Sequence, residues 1–174
     1  MKSFLVKIKI FIIFFILTIN AYANEQIVYV DMNSLINNSK AGTSINNQMK
    51  KILDKNNSEY QTLEKKLRQE EKDLLNKKNV LDPDKYNTEV SIFRDKINKL
   101  KFERNKEIED IQKRNVKAKN ELVNVVTNIL AKYSAENKIQ LVLRKESIIL
   151  GKKTIDITSE ILTLLDKEIK KIKF

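Results

Sequence analysis

Residues 74–86 read LLNKKNVLDPDKY, and this stretch decides the fold because it ends one long helix and begins another. A lysine pair places positive charge at the negative end of a helix dipole, and Asn79 tolerates the left-handed conformation that often follows a helix. Asp82 is a typical N-cap residue, and Pro83 suits the first helical position because its fixed φ angle is already helical. The stretch therefore predicts an antiparallel helical hairpin with its turn at 79–83.

Helix formers dominate on both sides of this turn. The segment from Ile45 to Lys78 contains no Gly or Pro, and the second helix is predicted from Pro83 to about Glu136. At 1.5 Å per residue the second helix would reach about 80 Å, whereas a globule of this chain length is only about 30 Å across. The hairpin is therefore predicted to project as a coiled-coil tentacle over residues 45–136.

Apolar residues along both helices recur at spacings of three and four, which is typical of a coiled-coil seam. Three polar residues interrupt the seam of the first helix at positions where an apolar side chain is expected: Asn56, Glu70 and Lys77. Since each polar residue in a seam removes a packing contact, the tentacle is predicted to be flexible.

The composition argues against an enzyme. The chain of 174 residues has no Cys and no His, which excludes thiolate metal sites, thiol nucleophiles and histidine-based acid–base catalysis. Carboxylate clusters such as Glu107, Glu109 and Asp110 are interspersed with lysines, and pairing with these neighbours is favoured over metal binding. No catalytic residue, cofactor or metal is expected.

The N-terminus resembles an export signal. Three lysines precede an apolar run at 10–19, and Ala21 and Ala23 form a small-x-small cleavage signal that would leave Asn24 as the first mature residue. Residues 1–23 are therefore predicted to be a cleaved signal peptide that directs the protein to the periplasm. The alternative is an uncleaved anchor, in which case the protein would be a membrane-tethered periplasmic coiled-coil adaptor.

Residues 24–44 and 137–174 are predicted to form a small β-rich body, with a first strand, a helix start at Thr43 or Ser44, two further strands and a last helix capped by Thr158. Because so small a sheet cannot bury itself, the strands are expected to assemble an oligomer. The predicted oligomerisation residues are the apolar residues of these strands: Ile27, Val28, Tyr29, Val30, Leu141, Val142, Leu143, Ile148, Ile149 and Leu150.

The segments IVYVDMNSLI and NSKAG at the start, the long charged hairpin, and NKIQLVLRKESIILGKKTIDITSEIL at the end resemble the Skp/OmpH family of periplasmic chaperones. The resemblance implies a mainly α fold with a small β body, and a homotrimer whose strands form an intersubunit β-barrel. It also implies three tentacles that enclose unfolded outer-membrane proteins, here called clients, without ATP.

The charge of the tentacle suits this expected function. The chain has a formal net charge of +11, and residues 50–119 carry 20 Lys and Arg against 14 Asp and Glu. This excess predicts electrostatic attraction of clients, while Tyr60, Phe93 and Phe102 are the candidates for apolar contact. Contact with a membrane surface or lipopolysaccharide stays open. Nucleic acid is not expected, because the protein is exported and has no recognisable docking motif.

Overall fold

The structure is a computed structural model that describes residues 26–174. The predicted signal peptide and its cleavage residues Ala21, Ala23 and Asn24 lie outside the described residues. The chain is mainly helical, and its regular elements follow in the order β1 (Gln26–Val30), α1 (Met32–Asn38), α2 (Lys40–Asn76), α3 (Pro83–Glu136), β2 (Ile139–Arg144) and α4 (Thr158–Glu168). Single 3-10 turns at Lys77–Asn79, Lys145–Ser147 and Lys153–Ile155 connect them.

The two long helices, α2 of 37 residues and α3 of 54 residues, contact each other along much of their length. Side-chain contacts between them pair rising residue numbers in α2 with falling numbers in α3. These contacts are Asn56 with Glu107, Glu64 with Arg104, Glu70 with Lys96 and Lys77 with Glu89.

The start of α3 is as predicted. Asp82 is its N-cap, the Asp82 side chain accepts a hydrogen bond from the Asp84 backbone N–H at 3.0 Å, and Pro83 is the first helical residue. The cap satisfies one of the backbone N–H groups that a helix start leaves without an intrahelical partner.

The predicted start of the first long helix at Thr43 or Ser44 is wrong. Ser39 is the N-cap, and its hydroxyl accepts a hydrogen bond from the Gly42 backbone N–H at 3.1 Å. Gly42 does not interrupt the helix but lies in its first turn. A Cβ atom at this position would lie 1.8 Å from the Ile36 carbonyl oxygen, so the close approach of α1 to α2 requires glycine.

The sheet has two parallel strands within the described residues, with Val28 beside Val142 and Tyr29 beside Leu143. The β2 strand confirms the predicted strand at residues 139–143. The predicted strand at Ile148–Leu150 is wrong for the single chain, where these residues are irregular. A strand needs a partner edge. At Tyr29 the outer edge of β1 contacts the segment before α4 instead, where the Tyr29 carbonyl accepts from Ile157 N–H at 3.0 Å.

One core holds the sheet, the short helices and the ends of both long helices together. Its buried side chains come from β1, from all four helices and from the segments on either side of α4: Val28, Val30, Met32, Leu35, Ala41, Ile45, Ala118, Leu122, Val126, Ile129, Ile157, Ile161, Leu165 and Ile172. Helices of the same chain cover one face of the sheet, and assembly of the strands into an oligomer stays a prediction. Residues 118–129, which the sequence analysis placed in the tentacle, belong to this core.

This core divides the chain into two regions that are named here by their residues. The body comprises residues 26–45 and 118–174, which supply all the core side chains above. The arm comprises residues 46–117, the part of α2 and α3 that extends beyond the core. Within the described residues, no helix is long and apolar enough to cross a membrane.

A polar cluster joins the separate segments of the body. The Asp31 backbone N–H donates to the Thr158 hydroxyl at 2.9 Å, and the Asp31 carboxylate accepts from Ser34 N–H at 2.8 Å and from Lys145 Nζ at 3.0 Å. The Ser34 N–H and then the Lys145 ammonium hold the pKa of Asp31 below its usual value. The last helix does begin at Thr158, but the prediction that Thr158 caps it is wrong, because Ile157 is the N-cap residue and the Thr158 N–H donates to the Asp156 carboxylate at 3.0 Å.

Candidate functional site

Two of the three aromatic residues that are predicted to contact clients lie together in the arm. Tyr60 and Phe93 line a cleft of about 260 Å³ between α2 and α3, with Leu67, Ile97 and Leu100. Helical periodicity places them there, because residues three and four apart share one face of a helix. Phe102 is absent from the cleft lining, and 69% of its surface is exposed.

The cleft is only half closed. Tyr60 is buried, with 5% of its surface exposed, whereas Leu67, Phe93, Ile97 and Leu100 are half-buried. A pair of helices without a third packing partner leaves its seam residues open on one side. The arm therefore offers apolar surface to solvent while its helices stay paired.

Charged side chains surround this apolar floor. Arg104 stacks on the Tyr60 ring at 5.7 Å from the ring centroid, and its Nη1 atom lies 2.9 Å from the Glu64 carboxylate. Arg68 and Lys101 lie at the rim and are exposed to solvent. Burial, and secondarily the negative charge of Glu107, raises the pKa of the Tyr60 hydroxyl above its usual value, so the phenol stays neutral at physiological pH.

The polar residues that interrupt the seam have partners on the facing helix. Asn56, with 6% of its surface exposed, donates from Nδ2 to Glu107 Oε2 at 2.5 Å, while its Oδ1 atom is buried without a hydrogen-bond partner in the described residues. Glu70 Oε2 lies 2.5 Å from Lys96 Nζ, and Lys77 Nζ lies 3.0 Å from Glu89 Oε2. Exposed pairs of this kind add only about 0–1 kcal/mol each to stability. Their main effect is therefore to fix the register between α2 and α3.

These cross-helix partners were not predicted from the sequence. The residue numbers of the two partners add up to nearly the same total in every pair. Searching for charge-complementary positions about the predicted turn would have found Glu89 and Lys96.

The predicted oligomerisation residues fall into two sets. Val28, Tyr29 and Val30 are buried within the chain, and Val142, Leu143 and Ile148 are half-buried. The second set is exposed apolar surface, with relative exposures of 49% for Ile27, 47% for Leu141, 105% for Ile149 and 93% for Leu150. We call these last four residues the exposed sheet-side patch. The patch and the arm cleft are the two candidate interaction surfaces of the body and the arm.

The described residues offer no group of three or more His, Cys, Asp or Glu side chains placed to hold a metal ion. The side chains of the exposed sheet-side patch and of the arm cleft suggest binding through apolar contact and charge.

Comparison with known proteins identifies a family and similar solved structures. The family model described as outer membrane protein (OmpH-like) matches residues 26–165. The crystal structure of an OmpH-like protein from Caulobacter crescentus CB15, named as a candidate outer membrane chaperone, is similar with a TM-score of 0.79 and 20% sequence identity. The alignment covers 85% of this chain and 88% of that one. No curated protein matches the sequence significantly.

Proposed function

The chain belongs to the OmpH-like family, and on this premise we propose that it is a periplasmic chaperone that acts as an ATP-independent holdase. It would enclose unfolded outer-membrane proteins between basic helical arms and keep them from aggregating. The observation that carries this proposal is the contrast between a packed core confined to the body and an arm whose apolar cleft stays half open.

The arm is proposed to work as an antiparallel hairpin that bends to fit clients of different size. Opposite residue order in the cross-helix pairs supports the hairpin, and the polar positions at Asn56, Glu70 and Lys77 support its flexibility. The positive excess of the arm would raise the local concentration of acidic clients. The predicted tentacle at 45–136, with its turn at 79–83, corresponds in this proposal to the arm together with the core-facing end of α3.

The working form is proposed to be a homotrimer in which strands from different subunits assemble a β-barrel. The exposed sheet-side patch supports association, since four large apolar side chains exposed in one small body favour an interface. Ile148–Leu150 has no strand partner within the chain, and a neighbouring subunit would supply one. Three arms on one barrel would surround a shared space for the client.

Cellular location follows from the predicted signal peptide at residues 1–23. Cleavage before Asn24 would release the protein into the periplasm, where ATP is scarce and a holdase cannot depend on it. The N-terminal residue of the protein recovered from cells tests this step. Asn24 supports the proposal, and Met1 favours the membrane-tethered adaptor instead.

A dilution assay tests the function itself. A urea-unfolded outer-membrane β-barrel protein is diluted with and without the purified chaperone at low and high salt, while light scattering and the mass of the complex are recorded. We expect suppressed scattering at about three chains per client, with weaker suppression at high salt because the attraction is screened over about 8–10 Å. Undiminished scattering from a well-folded oligomer would contradict the holdase proposal.

A further inference from the structure

The arm cleft is small and shaped for a single side chain. Its volume of about 260 Å³ lies below the range of about 300–1,000 Å³ that is typical of pockets for whole small molecules. Its floor is aromatic and aliphatic, with Tyr60, Phe93 and Ile97 contributed by both helices. Such a floor fits one aromatic or branched apolar side chain of an extended polypeptide that passes over the open side.

The rim adds a charge requirement. The lining carries three cationic and two anionic side chains, and Arg104 at 2.9 Å already holds Glu64, one of the two anions. Arg68 lies farther from the same carboxylate, at 3.9 Å, and Lys101 forms no ion pair within the described residues. These two exposed cations are therefore available to a carboxylate on whatever fills the cleft.

We propose that the arm cleft is a discrete subsite for an apolar side chain with an acidic residue next to it in the client sequence. This inference rests on the proposed holdase function and adds a local recognition element to it. Long-range attraction depends only on the net charge of a client, whereas this subsite depends on the order of its residues. An apolar side chain would fill the floor while the adjacent carboxylate reaches Arg68 and Lys101.

Two peptides of identical composition test the order dependence. Each contains one Trp and the same acidic residues, which flank the Trp directly in the first peptide and lie at the two ends in the second. The chaperone contains no Trp, so the Trp emission of the peptide reports binding without background. With two exposed charge contacts at stake, we expect the first peptide to bind about fivefold more tightly.

Matched variants assign the preference to the cleft. The double variant Arg68→Gln with Lys101→Gln removes both rim cations and should bind the two peptides equally. The control Lys65→Gln with Lys106→Gln removes the same charge from exposed arm positions outside the cleft and should keep the preference. Circular dichroism verifies that both variants are folded.

Equal affinity of the wild-type protein for the two peptides would overturn the subsite, and so would a preference that survives in the rim variant. Either result leaves the holdase proposal standing if the dilution assay still shows suppressed aggregation. Undiminished aggregation in that assay would instead remove the holdase function, whatever the peptides show.

Discussion

The body and the arm use the same apolar residue types with opposite results. In the body, Leu35, Leu122, Ile161 and Leu165 have no exposed surface. In the arm, no residue from Gln61 to Asp110 is buried, although leucines, isoleucines and phenylalanines recur along both helices. The difference arises because body side chains pack between several elements, whereas arm side chains have only one facing helix.

This difference separates stability from adaptability within one pair of continuous helices. Burial of apolar surface is the main source of folding free energy, so the body is expected to hold most of the stability. The arm gains less from each residue and can deform at small cost. The proposed holdase, which would keep its oligomer intact while accommodating varied clients, needs both properties.

The same substitution in the two regions gives the largest expected contrast. Leu122→Ala in the body should lower the free energy of unfolding by about 3 kcal/mol, because it leaves a cavity in a closed core. Leu67→Ala in the arm should cost about 1 kcal/mol or less, since water can reach the vacated site. Urea denaturation followed by circular dichroism measures both. Equal losses of unfolding free energy in the two variants would contradict the distinction between a closely packed body and a half-open arm.

The glycine of the α1–α2 junction gives the next largest effect. Gly42→Ala would place a methyl group 1.8 Å from the Ile36 carbonyl oxygen, which forces the two helices apart. We expect a loss of about 1–3 kcal/mol, the usual cost of overpacking, measured by urea denaturation. Ala41→Gly, at the neighbouring core position, removes volume instead of adding it and controls for helix propensity. Unchanged stability of Gly42→Ala would refute the close contact.

Replacing the polar seam residues by leucine should bring the packing of the arm closer to that of the body. Asn56→Leu, Glu70→Leu and Lys77→Leu together should stiffen the arm by adding apolar seam contacts, each worth up to about 1 kcal/mol. Hydrogen exchange of arm amides should slow, and the range of client sizes protected in the dilution assay should narrow. The control Asn57→Leu adds an apolar side chain at an exposed position of α2. A stiffer arm with an unchanged client range would contradict the role of flexibility.

The smallest expected effect is on the pH dependence of the stability of the body. The pKa of Asp31 is lowered in the folded state from its usual 3.8, so the unfolded state binds the proton more readily. The Asp31 contribution to stability is therefore fully present above pH about 4 and is lost as the pH falls through the lower, folded-state pKa. Asp31→Asn keeps a helix cap but loses the Lys145 pair. Its stability deficit, measured by thermal unfolding, should be present at pH 7 and shrink below pH 4; a constant deficit would contradict this assignment.

The helix boundaries could be predicted where local chemistry decides them. The Asp82–Pro83 start needs only nearby residues and is confirmed, whereas the N-cap of the last helix is Ile157 and not the predicted Thr158. The Ser39 cap was missed because a glycine usually indicates the end of a helix. Here Gly42 lies inside the helix, and the close contact with the Ile36 carbonyl oxygen requires glycine. The strand predicted at Ile148–Leu150 does not form within the chain, because strand pairing depends on a neighbouring strand that the local sequence does not specify.

The candidate site was predictable only in part. Helical periodicity explains why Tyr60 and Phe93 share the cleft and Phe102 lies outside it, and the role of all three in client contact remains a prediction. The rim cations Arg68 and Lys101 were not identified, because their position depends on how one helix lies against the other. Register between distant segments is the information that a single helical pattern lacks.

Hydrogen exchange with and without an unfolded client tests the division between body and arm most directly. In the free protein we expect residues 61–110 to exchange much faster than the core segment 118–130. Addition of client should slow exchange in the arm around Tyr60 to Arg104 and leave the core segment unchanged. Uniformly slow exchange in the free protein, or client protection confined to the body, would contradict the account.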